Sequence, residues 1–214
     1  TFMILTVDIG NTIIAVGGFE GDMLAFVVRL ATNIKETSHE YAAKLDSILR
    51  LSDTETHSLT AAVISSVVPQ LTGTIREALK IAFGIDALSV GPGVKTGINI
   101  HCDDPSSVGA DLICVSVAAA KKYGSPCIIV DMGTATKIIH LGKNGTFEGV
   151  AILPGAEISL SALADRTAQL PHIALTVPDS AIGKNTVDSM RSGAVFGAAA
   201  AVDGMIDRFL FEIG

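Results

Sequence analysis

The sequence predicts an α/β protein in which one strand–turn–strand unit is used twice, and three observations carry that expectation. Hydrophobic residues make up 49% of the 214 and charged ones only 17%. The apolar content lies in Ala, Val, Ile and Leu, with no Trp, as in strands buried on both faces. β-rich runs alternate with stretches of helical periodicity. Finally, Val7-Asp8-Ile9-Gly10-Asn11-Thr12 recurs as Val130-Asp131-Met132-Gly133-Thr134-Ala135-Thr136, each copy ending one strand and entering a tight turn to the next.

The elements follow in order. Met3 to Asp8, Thr12 to Gly18 and Met23 to Leu30 read as three strands of an antiparallel meander, punctuated by Gly10-Asn11 and Glu20-Gly21-Asp22. Ser38 is the expected N-cap of a helix in which Tyr41, Leu45, Ile48 and Leu49 recur at helical spacing. Ala61 to Val68 is a buried strand closed by Pro69, and Thr74 to Phe83 a helix stopped by Gly84. A short strand, Ala87 to Val90, leads into the Gly91-Pro92-Gly93 loop, and an Ala-rich helix runs from Val108 to Tyr123. The opening pattern then returns: strands at Cys127 to Asp131, Thr136 to Leu141 and Thr146 to Ile152, with a hairpin turn at Lys143-Asn144-Gly145. Pro154-Gly155 opens a helix reaching about Leu170. A long helix spans Thr186 to Phe211, where Gly193, Gly197 and Gly204 are expected to permit close packing against a neighbour.

Charge and cysteine usage exclude several function classes. The net charge of −7 leaves no basic face for nucleic acid. Cys102, Cys114 and Cys127 have neither disulfide-framework nor zinc spacing and suit a reducing compartment. His39, His57, His101, His140 and His172 lack metal-ligand spacing. The N-terminus has no basic leader, and the apolar run Gly193 to Val202 is too short to cross a bilayer, so a cytoplasmic protein is expected, without membrane or nucleic-acid partners.

The repeated turn suits phosphate. Its glycine lets the backbone bend sharply and approach a ligand, and its N–H groups, with Thr and Asn side chains, can cradle phosphate oxygens. The Asp at each strand end is repelled by phosphate and has to act through a cation. Two such turns facing each other would grip a nucleotide from both sides.

Four segments resemble the type III pantothenate kinases of the acetate and sugar kinase/Hsp70/actin superfamily. They are Asp8-Ile9-Gly10-Asn11-Thr12, Gly91-Pro92-Gly93-Val94-Lys95-Thr96-Gly97, Val108-Gly109-Ala110-Asp111 and Asp131-Met132-Gly133-Thr134-Ala135-Thr136. Weaker agreement comes from Ile64-Ser65-Ser66-Val67-Val68-Pro69 and Gly183-Lys184-Asn185-Thr186. The resemblance implies two ribonuclease-H-like, actin-like ATPase domains of duplicated βββαβα topology, residues 1–115 and 116–214. The family continues past the position of Gly214, so the second domain is expected to be shortened at its C-terminus.

The resemblance also implies an activity: transfer of the γ-phosphoryl group of ATP to pantothenate, the first step of coenzyme A biosynthesis, by a homodimer using Mg²⁺ and a monovalent cation, K⁺ or NH₄⁺. Asp8, Ile9, Gly10, Asn11, Thr12, Ile13, Ile14 and Ala15 would form the first phosphate loop, with Asp8 near Mg²⁺. Thr134 would contact ATP and Asp131 the monovalent cation. Asp111 would be the general base, and Cys102, Gly109, Ala110, Asp111, Leu112 and Thr186 would line the pantothenate site. An acid in the first turn of a helix is stabilised as the anion and can accept a proton.

Three positions depart from the family pattern. Leu112 stands where the family usually has Arg, Cys102 where it has Tyr, and Lys137 where the second loop usually has Thr. A Leu cannot offer the guanidinium fork, so Lys137 is read as restoring a positive charge from elsewhere. These departures keep a competing reading open: a divergent, non-catalytic nucleotide-binding or regulatory homologue of the Bvg accessory factor kind. A two-metal nuclease would need a tight cluster of carboxylates, which two separate repeats do not offer.

Overall fold

The computed structural model describes residues 2–52 and 59–214. The chain divides into two compact units, Thr1–Thr96 with Asp104–Val115, and Gly97–Asp103 with Ser116–Gly214.

In the first unit, strands β1 (Met3–Ile9), β2 (Ile13–Glu20) and β3 (Met23–Ala31) form the antiparallel meander. Helix α1 (Ser38–Leu51) then crosses to β4 (Leu59–Ser66), which pairs parallel to β1. Helix α2 (Pro69–Phe83) leads to the two-residue strand β5 (Leu88–Ser89), giving the sheet order β3-β2-β1-β4-β5. Strand alternation decides which side is core: Met3, Leu5, Val7 and Ile9 are buried, while Asp8 points the other way and is exposed. The buried side meets Tyr41, Leu45 and Leu49 of α1 and Leu71, Ile75 and Leu79 of α2.

Two helix starts differ from the sequence expectation. Thr37, not Ser38, caps α1: its hydroxyl accepts from the Glu40 N–H while the Glu40 carboxylate accepts from the Thr37 N–H, a reciprocal capping box. Helix α2 begins at Pro69 rather than Thr74, because a proline that closes a strand is also preset for the first helical position. Its end at Gly84, in the left-handed conformation (φ 69°), is as expected.

Helix α3 (Ala110–Tyr123) starts in the first unit and ends in the second. The second unit carries the meander again: β6 (Cys127–Met132), β7 (Ala135–Leu141) and β8 (Phe147–Pro154), with β7 central. Asn144 and Gly145, both at positive φ (60° and 72°), make the turn between β7 and β8. Helices α4 (Ala156–Arg166) and α5 (Thr186–Ile213) follow, meeting through Leu160, Met190 and Ala194.

Three expectations are corrected in this unit. Helix α4 stops at Arg166, four residues before Leu170. Among the described residues no strand separates α4 from α5, so the copy reads βββαα rather than βββαβα; Pro171 and Pro178 in the intervening segment cannot donate to a ladder. Gly193, Gly197 and Gly204 of α5 do not mediate close packing: a Cβ at any of them would meet nothing within 4 Å.

Candidate active site

In the first unit the site begins at the end of β1. The Gly10 N–H donates to the Ile13 carbonyl (3.0 Å), closing the turn, and the Thr32 hydroxyl donates to the Gly10 carbonyl (2.7 Å). A Cβ on Gly10 would stand 3.0 Å from that same Ile13 oxygen, so the tightness of the bend calls for glycine. Asn11, Thr12 and Ile13 are exposed at its tip, whereas Ile9 and Ile14 are fully buried and serve as its anchors. Asp8 lies opposite Ser65 in the parallel β1/β4 register, and the Ser65 hydroxyl donates to Asp8 Oδ1 (2.9 Å).

The start of α3 belongs to the same unit. Asp111 sits in the first turn, and its carboxylate folds back over Gly109: a Cβ there would lie 2.5 Å from Asp111 Oδ1 and 3.7 Å from Val67 Cγ1. Val67 in turn donates its N–H to the Ile9 carbonyl (3.0 Å), beside the first turn. Cys114, one helical turn after Asp111, closes the group. Burial pushes its thiol up; a hydrogen bond with Ser65 opposes that, and the charges of Asp8 and Asp111 add to it. Asp8, Ser65, Cys114 and Asp111 therefore form one electrostatic neighbourhood. Ala110 (8% exposed) and Leu112 (7%) are packed inside.

In the second unit the equivalent turn is tighter. The Gly133 N–H donates to the Ala135 carbonyl (3.1 Å), and the Gly155 N–H donates to the Thr134 carbonyl (3.1 Å). Gly155 is pressed onto this turn: a Cβ would collide with the Gly133 and Thr134 carbonyl oxygens. Thr134 is exposed at the tip. Asp131 faces Lys137 in the β6/β7 register, and Lys137 Nζ donates to Asp131 Oδ2 at 2.9 Å. Thr186 is exposed at the start of α5, whose N-cap is Asn185, and lines a shallow cleft with Leu163, Leu170 and Lys184. Cys102 is half-buried in the segment Gly97–Asp103 that joins this unit.

The sequence-predicted residues thus divide. Asp8 through Ala15, Gly109, Ala110, Asp111 and Leu112 lie in the first unit; Asp131, Thr134, Cys102 and Thr186 lie in the second. The first unit brings its turn and Asp111 together. Cys114 was not singled out by sequence reasoning; its one available signal was its place one turn beyond Asp111 on the Ala-rich helix. Among the described residues no group of three His, Cys, Asp or Glu could hold a metal ion by protein side chains alone, and His57 lies outside them. No described helix is long and apolar enough to cross a membrane.

Comparison with known proteins identifies the lineage. Residues 4–208 match the type III pantothenate kinase family. The type III pantothenate kinase of Shouchella clausii (strain KSM-K16) is 43% identical over 211 residues, covering 98% of this chain and 82% of that protein. That of Finegoldia magna is 44% identical over 210 residues, covering 98% and 80%. The crystal structure of a Campylobacter jejuni protein described as a transcriptional activator of the Baf family covers 94% of this chain and 78% of its own. Its TM-score of 0.55 at 18% identity is a likeness of fold. With two α/β units and a family match across nearly its whole length, the chain belongs to the type III pantothenate kinase family.

Proposed function

We propose that this chain is a pantothenate kinase that transfers the γ-phosphoryl group of ATP to the hydroxyl of pantothenate. The observation that supports the reading lies within the first unit: the Ser65 hydroxyl holds Asp8 at the end of β1, and the Asp111 carboxylate folds over Gly109, which packs near Val67, whose N–H donates to the Ile9 carbonyl at the same turn. In the reaction the pantothenate oxygen bonds to the γ-phosphorus as the bond to the β–γ bridging oxygen breaks. The electron pair leaves with ADP, and Asp111 takes the hydroxyl proton. Such transfers depend on positioning and charge neutralisation more than on covalent catalysis.

The backbone of Asp8–Ala15 cradles the phosphates in this reading. In the first unit Gly109, Ala110 and Leu112 border the acceptor; buried Leu112 shapes its wall rather than holding a charged group. Asp8 fits Mg²⁺: its exposed carboxylate is oriented by the neutral Ser65 hydroxyl, and Mg²⁺ is commonly held by one or two carboxylates while it keeps several of its waters. A bound Mg²⁺ supplies charge neutralisation on the β- and γ-phosphates. A monovalent cation at Asp131 does not fit, because the Lys137 ammonium already occupies that carboxylate. Homodimerisation belongs to the same proposal and is supported by the open glycine face of α5.

The test is ADP release dependent on both ATP and pantothenate, with phosphopantothenate identified as product. ATP binding without product formation would move the chain to the regulatory reading.

A further inference from the structure

The second turn differs from the first in one chemical respect. Asp131 and Lys137 stand opposite each other across β6 and β7, with Nζ 2.9 Å from Oδ2 and side chains 38% and 21% exposed. Strand β7 is central and paired on both edges, Lys137 lying opposite Asp131 on one side and Ile152 on the other, so the root of the lysine is fixed. A carboxylate next to a phosphate-binding turn repels the ligand until a positive charge neutralises it. A dissolved ion can do this, and so can a tethered one. Here the tethered charge is at hydrogen-bonding distance, and a second monocation on the same carboxylate would sit against the ammonium and be repelled.

We infer that Lys137 is a built-in monovalent cation. Its ammonium takes the place at Asp131 that the family resemblance assigns to potassium or ammonium ion, so nucleotide binding by this chain is independent of dissolved monovalent cations. A lysine suits the role: its head is a compact point charge with three donors, close in kind to ammonium ion, whereas a planar guanidinium is not. The inference rests on the reading of the second turn as a phosphate site.

The experiment measures ATP affinity by calorimetry, and thermal midpoint with and without ATP, in potassium, ammonium and choline chloride at equal ionic strength. The wild-type chain should give the same values in all three. Lys137→Thr should lose about tenfold in ATP affinity in choline, recover it in potassium, and gain a potassium-specific rise in midpoint. Lys137→Arg, which keeps the charge, should stay indifferent to the salt. A potassium-specific gain in the wild-type chain, or a potassium-specific ²⁰⁵Tl resonance on titrating it with thallous ion, would overturn the inference; so would a Lys137→Thr chain as indifferent as the wild type. Absence of phosphopantothenate in every salt would instead sink the kinase reading, while the melting and thallium measurements still judge Lys137.

Discussion

The two acid-tipped turns share a sequence and differ in how each acid is held. Between the last paired residues the first turn has Gly10 to Ile13, and the second only Gly133 to Ala135. That single residue changes the cross-strand partner. Asp8 faces Ala15 and turns instead to the Ser65 hydroxyl on the neighbouring parallel strand; Asp131 faces Lys137 and is paired with its ammonium. A hydroxyl orients a carboxylate and leaves its charge in place, whereas an ammonium cancels it. The first turn therefore keeps a charged acid, the one proposed for Mg²⁺, and the second arrives already neutralised.

The strongest test of this difference is charge removal in the first unit. Asp111→Asn should lower kcat by about 10²–10⁴ with little change in KM, since in the proposed reaction it removes the acceptor of the hydroxyl proton. Asp8→Asn should lower activity by about 10²-fold and raise the Mg²⁺ needed for half-maximal rate. Asp131→Asn should cost only on the order of tenfold and leave the Mg²⁺ requirement unchanged. Equal effects at Asp8 and Asp131 would erase the distinction.

Next comes the packing of the turns. Gly155→Ala drives a methyl into two carbonyl oxygens and should destabilise the chain by about 2–3 kcal/mol in urea denaturation. Gly10→Ala meets one oxygen at 3.0 Å and should cost nearer ~1 kcal/mol. Ser65→Ala removes the hydroxyl on Asp8 and should lose about 1 kcal/mol, with a raised Mg²⁺ requirement and an unchanged response to potassium.

The smallest effect is at Cys114. Its raised thiol should make it the slowest of the three cysteines to react with iodoacetamide near pH 9, read by peptide mass spectrometry, and Asp8→Asn should quicken it. The sign for stability follows: the half-buried thiol's contribution is complete below the ordinary thiol range and is lost as pH rises through its elevated value.

Much of this could be read along the chain. Both turns, both meanders and the place of Asp111 near a helix start follow from local pattern, because turn chemistry and strand alternation are written in neighbouring residues. The α1 cap was legible too, as Thr37-x-x-Glu40, though one residue from the expected position. What stayed hidden depends on register or distance. Ser65 reaches Asp8 across 57 residues through a parallel pairing that no local signal announces. Lys137 is visible as an oddity, but its contact with Asp131 follows from a turn one residue shorter. The glycines of α5 look like a packing face, yet nothing in the described chain packs there.

The separation in sequence has a kinetic consequence. Asp131 and Lys137 are six residues apart within one hairpin, a structure that closes in about 1–10 μs. The Asp8–Ser65 contact must wait for β4 to cross over and dock, and long-range parallel pairing forms slowly. During synthesis or refolding, the second bend can acquire its ion pair while the first still lacks its aim. Amide exchange should accordingly protect β6 and β7 before β4.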